Sequence, residues 1–354
     1  MNVLTLNHNA AKTLINAAGN TNTVLLQGPP GIGKSALLAS LARELPDYYA
    51  AYVDAAILDL GDIAMPVVDR ETMTTSYAPN ARFGLARGQN KPVLLMLDEL
   101  GKASRPVLNM LLPVILEHRI GDVRLPTGSI VFATTNLATD GVGDNIPAHA
   151  YNRMTVCRMA NPTVDEWLHW AAEHDIAPEV MKVAKEYPQM FDCYADMPKD
   201  DKNPYIFNPL TGNTKSFVSP RSLEKASHLI KMRDALGSAL LPALAGTVGE
   251  AAARDMEAMV HLADSLPQYD QIIANPTSTK LPEGAGAYFL LAFMLAGRAT
   301  AETLDAIMTY TGRWDSFEAR VLLLTTLGGN NNKVAMACRN RMFTQAAAAA
   351  GKFF

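Results

Sequence analysis

Gly28-Pro29-Pro30-Gly31-Ile32-Gly33-Lys34-Ser35 is the stretch that decides how this chain folds. It fits G-x-x-x-x-G-K-[ST], and its flanks agree with that pattern. Val24-Leu25-Leu26-Gln27 reads as a short buried strand, and 36–45 has helical apolar spacing until Pro46 stops it. Glycine lets backbone N–H groups close around a phosphate where a Cβ would clash. A helix starting near Lys34 adds the positive end of its dipole. Lys34 brings a point charge for the β- and γ-phosphates, and Ser35 brings a hydroxyl for Mg²⁺. An ordinary Gly/Pro turn accounts for the glycines and prolines, but not for a Lys-Ser pair between a strand and a helix. Residues Gly28, Pro29, Pro30, Gly31, Ile32, Gly33, Lys34, Ser35 and Ala36 are therefore expected to hold a nucleoside triphosphate, ATP, with Mg²⁺.

Working outward, up to about Met159 strand-like runs alternate with helical ones, as in βαβ units on a parallel sheet. The predicted strands are 24–27, 52–55, 93–97, 129–134 and 155–159. From Pro162 onward helices dominate: 164–174, 179–186, 221–236, 251–265, 285–295, 301–311 and 316–326. A polar loop at 196–217 and a break near 275–282 interrupt them. This divides the chain into an α/β nucleotide domain (1–160), a helical lid (161–275) and a helical C-terminal extension (276–354).

With 354 residues there is room for two or three domains and an ample core. Hydrophobic residues make up 49% and charged ones 19%, and the net charge of −4 argues against a generally basic nucleic-acid coat. Three scattered cysteines with no CxxC pair indicate neither a disulfide framework nor a zinc site. No apolar run reaches a membrane span, and the N-terminus has no signal-peptide pattern, so a cytoplasmic location is expected.

Val93-Leu94-Leu95-Met96-Leu97-Asp98-Glu99 is an apolar run closed by two acids. At the carboxyl end of a buried strand they emerge where a phosphate-bound metal would sit. Asp98 is then placed to hold Mg²⁺ together with Ser35, and Glu99 to deprotonate an attacking water. Two acids rather than one favour hydrolysis over mere binding. The next strand ends at Asn136, whose amide can bridge Glu99, the water and the γ-phosphate; alone, an Asn at a strand end is a common turn residue.

These motifs, followed by Asn152-Arg153 and by Ser219-Pro220-Arg221, resemble an AAA+ ATPase, specifically the MoxR-like branch. Leu116-Glu117-His118-Arg119-Ile120-Gly121-Asp122 before Leu125-Pro126, and Pro162-Thr163-Val164-Asp165-Glu166-Trp167, are similar to the hairpin passage and lid entry of that branch. The resemblance implies a P-loop αβα sandwich with a parallel sheet, an all-α lid and a helical extension. It implies a homo-oligomeric ring, a hexamer, with Arg153 as an arginine finger in the neighbouring subunit's site and Arg221 as the lid arginine that senses the γ-phosphate. A trans arginine of this kind is worth ~10³–10⁵ in rate. Glu99, Arg153, Asn136 and Arg221 are thus the expected catalytic set. The resemblance also implies a protein client and a partner with a von Willebrand factor A domain. Arg119 and Arg158 are weaker candidates for subunit contacts, and solvated ion pairs are the plain alternative for every one of these arginines.

Two departures stand out. Pro113 falls inside the helix predicted over 106–117, at a cost of about 3 kcal/mol or a kink. Met154 stands where the branch has Phe. His169 and His174, five apart, make a poor metal pair, and the stripe Leu108, Leu111, Leu112, Ile115, Leu116 reads as core. The stretch 62–77, with Met65, Val67, Val68, Met73 and Tyr77 among turn residues, is either a client-facing loop or a packed surface insertion. The leading function is a client-remodelling ATPase. A nucleic-acid motor on the same scaffold is the alternative, and a nucleotide-gated assembly protein with little turnover is the third.

Overall fold

The computed structural model describes residues 4–86, 89–137, 146–198, 202–209 and 215–351. The chain forms two compact units, 1–161 and 162–354.

In the first unit the elements run β1 (Thr5–Leu6), α1 (His8–Ala18), β2 (Val24–Gln27), α2 (Ala36–Glu44), β3 (Tyr49–Asp54), β4 (Ala64–Asp69), β5 (Thr74–Pro79), β6 (Val93–Asp98) and α3 (Arg105–Glu117). They continue with β7 (Arg119–Ile120), β8 (Val123–Arg124), β9 (Ile130–Thr135), α4 (Ala148–Tyr151) and β10 (Thr155–Met159). Six strands make one sheet in the order β1-β10-β2-β9-β6-β3, every neighbouring pair parallel.

Alternation along each strand feeds two cores. Leu25, Leu95, Leu97, Val131 and Ala133 face α3, with Val107, Leu108, Leu111 and Ile115. Val24, Leu26, Leu94, Met96, Ile130 and Phe132 face α1 and α2, with Ala11, Ile15, Leu37 and Leu41. A strand covered on both sides shows no polar face, which is why 24–27, 93–97 and 129–134 read as plain apolar runs.

The parallel P-loop sheet and its helical C-terminal part agree with the expected fold class. The details sharpen it. β3 starts three residues earlier than predicted, and β1, only two residues long, lies outside the predicted set. Pro113 does not end α3, which stays helical from Arg105 to Glu117. Leu116 of the predicted core stripe is exposed, while Leu108, Leu111 and Ile115 are buried. The stretch 62–77 is no loop: β4 and β5 form an antiparallel hairpin paired from Ala64–Pro79 to Asp69–Thr74. The hairpin is tied to the β7–β8 turn through Asp122, which accepts from Tyr77 N (2.6 Å) and donates its own N–H to Tyr77 O (3.2 Å).

The second unit is helical: α5 (Val164–Glu173), α6 (Pro178–Glu186), α7 (Pro220–Lys231), α8 (Arg233–Leu236), α9 (Leu240–Val248), α10 (Glu250–Ser265), α11 (Tyr269–Ala274), α12 (Ala285–Arg298), α13 (Leu304–Thr311), α14 (Phe317–Gly329), α15 (Val334–Arg339) and α16 (Arg341–Ala350). A Thr163–Glu166 capping box opens α5. Ser219 caps α7 with Pro220 at its first position. One core gathers Trp167, Val180, Leu223, Leu244 and Met256, and a second gathers Tyr269, Leu291, Ile307, Tyr310 and Leu323. Among the described residues no helix is long and apolar enough to cross a membrane.

Candidate functional site

The turn from β2 into α2 carries the phosphate motif. Gly31 (φ 81°) and Gly33 (φ 94°) adopt the left-handed backbone that glycine tolerates without penalty. Nothing lies within 4 Å of where a Cβ on Gly33 would stand. Gly28, by contrast, is packed shut: a Cβ there would meet Ile32 Cδ1 at 2.7 Å and Met159 O at 3.0 Å. Among the described residues no backbone carbonyl accepts from the N–H groups of Gly33 or Ser35.

Lys34 is buried, and its ammonium donates to Gly28 O (2.6 Å), Pro29 O (2.8 Å) and Asn136 Oδ1 (3.0 Å). Asn136 in turn donates from Nδ2 to Glu99 Oε2 (3.3 Å). One amide thus links the loop cation to the acid. Glu99 follows β6 in left-handed backbone (φ 54°), which turns its half-buried side chain off the strand direction. Its Oε2 also takes Lys102 Nζ at 2.8 Å.

Asp98 is held at four points. Oδ2 accepts from Ser35 Oγ (2.8 Å) and Tyr52 OH (3.0 Å). Oδ1 accepts from Glu99 N (3.1 Å) and from Thr134 Oγ1. Burial first, and the Asp98 charge next, push the Tyr52 phenol well above its ordinary range, so the hydroxyl stays a donor.

The structure therefore brings Lys34, Ser35, Asp98, Glu99 and Asn136 into one hydrogen-bonded set, around glycines with the expected backbone. Ala36 opens α2, its N–H on Gly33 O (3.0 Å). Arg153 stands apart on the exposed turn after α4, with no ion pair among the described residues. Met154 behind it packs against the α3-side core. Arg221 is exposed in the first turn of α7, in the second unit. Arg119 is spent locally, on Glu117 (3.0 Å) and Gly121 O (2.6 Å). His174 stacks on Trp170.

Sequence reasoning missed three members of the site. Thr134 and Tyr52 reach Asp98 only because of strand register: Leu97 pairs with Ala133, and Asp54 with Asp98. Lys102 had a visible signal, one helical turn after Glu99.

The parts fit a triphosphate–Mg²⁺ complex: open space at Gly33, a buried ammonium, and a hydroxyl–carboxylate pair of hard oxygens. Among the described residues no group of three or more His, Cys, Asp and Glu could hold a metal unaided.

Residues 24–157 match the model of the ATPase family associated with various cellular activities (AAA). The α/β unit has the AAA+ fold. Curated relatives of the AAA+ domain include a mitochondrial Lon protease homolog of Neurospora crassa, 27% identical over 169 residues, covering 44% of this chain and 14% of that protein. Another is the Lon protease of Brucella abortus, 26% identical over 183 residues, covering 48% of this chain and 21% of its own. The match thus spans about a fifth or less of these relatives, and the likeness reaches their ATPase part. Among solved structures, a mutant RuvB of Thermotoga maritima aligns over 76% of this chain and 75% of its own, at 18% identity and a TM-score of 0.38. The AAA+ domain accordingly supports ATP binding and an ATPase.

Proposed function

We propose that the chain hydrolyses ATP as a MoxR-like ring of six subunits and uses the energy to remodel a protein client. The observation that carries hydrolysis is the run Lys34–Asn136–Glu99 beside Ser35–Asp98. It joins phosphate cation, amide, base and metal acid in a single network. Bound ATP–Mg²⁺ would supply the phosphoanhydride and the divalent charge. Lys34 and the N–H groups of the turn would hold anionic oxygens, and Ser35, its hydroxyl aimed by Asp98, would present its oxygen to the metal. Glu99 takes the proton of the attacking water on its carboxylate, while Asn136 keeps that carboxylate next to the cation. Arg153, exposed and unspent in ion pairs among the described residues, is suited to enter a neighbouring subunit's site as a planar, permanent charge. Arg221 follows the γ-phosphate from the lid (161–275), to which the extension (276–354) is attached. The exposed β4–β5 hairpin faces the client. A partner with a von Willebrand factor A domain follows from the MoxR-like resemblance, and a cytoplasmic location suits such a machine.

The test is turnover and particle mass in the parent, Glu99→Gln and Arg153→Ala proteins. The parent should hydrolyse ATP as a ring. Glu99→Gln should keep binding ATP and lose ~10²–10⁴ in rate. Equal, near-zero turnover in parent and Glu99→Gln would sink the ATPase assignment. Full activity from a monomer, unaffected by Arg153→Ala, would sink the shared site. Hydrolysis stimulated by DNA and collapsing steeply with salt would replace the protein client by nucleic acid.

A further inference from the structure

Asp98 has more donors than a metal-holding acid needs for mere placement. A carboxylate offers about four lone-pair sites, and here all four are taken, two on each oxygen. Three of the donors are fixed by the site itself: the Ser35 hydroxyl, the N–H of the adjacent Glu99, and Thr134 on the next strand. The fourth, Tyr52, comes from the sheet's edge strand β3. Tyr52 as a residue is half-exposed, with relative accessibility of 50%, yet its hydroxyl reaches Asp98, which is 5% exposed. Asp54, the register partner of Asp98, does not compete. Its carboxylate turns away and accepts from Ala56 N (3.0 Å).

We infer that Tyr52 is a positioning residue: its hydroxyl locks the Asp98 carboxylate in the rotation that faces Ser35 and thereby sets the affinity for Mg²⁺. Ser35 gives its hydrogen to Asp98 Oδ2, which leaves the Ser35 oxygen lone pairs for a cation. That arrangement holds only while Oδ2 stays where it is. Thr134 and Glu99 N pin Oδ1, and Tyr52 is the one donor besides Ser35 that pins Oδ2 among the described residues. Without it, a buried lone pair must find water or turn, and the Ser35–Asp98 pair loses its preset geometry. Tyr52 touches neither the phosphate turn nor Glu99 by any hydrogen bond among the described residues, so its effect should be confined to the metal.

The inference rests on the proposed role of Asp98, and the experiment separates the two. Tyr52→Phe and Asp98→Asn are each made in the full chain with Glu99→Gln, which removes turnover. Binding of a fluorescent ATP analogue is titrated with Mg²⁺ and repeated in EDTA, and bound Mn²⁺ is counted by electron paramagnetic resonance. Tyr52→Phe should leave metal-free nucleotide affinity unchanged and raise the half-saturating Mg²⁺ about tenfold, the size of one hydrogen bond to an ionised group, with a parallel loss of Mn²⁺ affinity. If Asp98→Asn shifts the Mg²⁺ dependence and Tyr52→Phe does not, the Tyr52 role is refuted and the site survives. If Tyr52→Phe lowers affinity equally with and without metal, its action is on the pocket and the inference also fails. If Asp98→Asn itself leaves Mg²⁺ dependence unmoved, both assignments fall together.

Discussion

Replacing Gly33 by alanine separates what the phosphate turn does for folding from what it does for a ligand. With φ at 94°, an L-residue at 33 is strained by about 1–2 kcal/mol. No steric term adds to this, because a Cβ there meets nothing within 4 Å. For a unit spanning 1–161, each kcal/mol lowers the melting temperature by about 2–4 °C, so a fall of about 2–8 °C is expected. Binding should suffer far more. The methyl group would occupy the open space at Gly33 in which a phosphate is proposed to sit. Losing two charge-assisted hydrogen bonds to phosphate there is worth on the order of a hundredfold or more. Gly128→Ala is the matched control. It has φ of 84° and equally open surroundings, but it sits in the turn that leads into β9, at the far end of the sheet from the phosphate turn. Calorimetric titration with ATP–Mg²⁺ and a thermal melt should show both variants equally destabilised and only Gly33→Ala unable to bind. Parent-like affinity in Gly33→Ala would refute the assignment of this turn as the phosphate cradle.

Two further outcomes follow from single contacts. Lys102→Met removes the cation 2.8 Å from Glu99 Oε2. Stability should change by less than ~1 kcal/mol, and turnover should rise by up to about fivefold as the carboxylate oxygen is released; a fall in kcat at unchanged ATP affinity would assign Lys102 a supporting role instead. In the second unit, burial raises the Glu179 carboxyl above its ordinary range, with Arg233 at 3.2 Å only partly offsetting it. A raised folded-state pKa gives stability that is complete below the unfolded-state carboxylate range and lost as pH climbs through the folded value. Denaturation midpoints should therefore fall with rising pH across that window more steeply in the parent than in Glu179→Gln, and parallel curves would contradict this.

Much of the site could be read from the chain because its parts are local. Gly31 and Gly33 are needed by the backbone of their own turn, Lys34 and Ser35 follow at fixed spacing, and Asp98-Glu99 closes an apolar run that only a doubly covered strand would carry. The β4–β5 hairpin escaped notice for the opposite reason. Met65, Val67, Val68, Met73 and Tyr77 are exposed, so no alternation between a core and a solvent face marks their strands. Local spacing is also silent on β1, whose two residues acquire strand geometry by pairing with Arg158 and Met159.

By itself, then, the sequence singled out the Gly28–Ser35 turn, the Asp98-Glu99 pair and an α/β order of elements, since each is written in neighbouring residues. Only the tertiary structure decided that Tyr52 and Thr134 close on Asp98, that Asn136 joins Lys34 to Glu99, and that Lys102, already hinted at by its spacing, pairs with Glu99. Those contacts, apart from the one-turn reach of Lys102, span 36 to 102 residues of chain. They exist because parallel strands β3, β6 and β9 lie in one register, and register is set by the two cores packed against the sheet rather than by any local pattern.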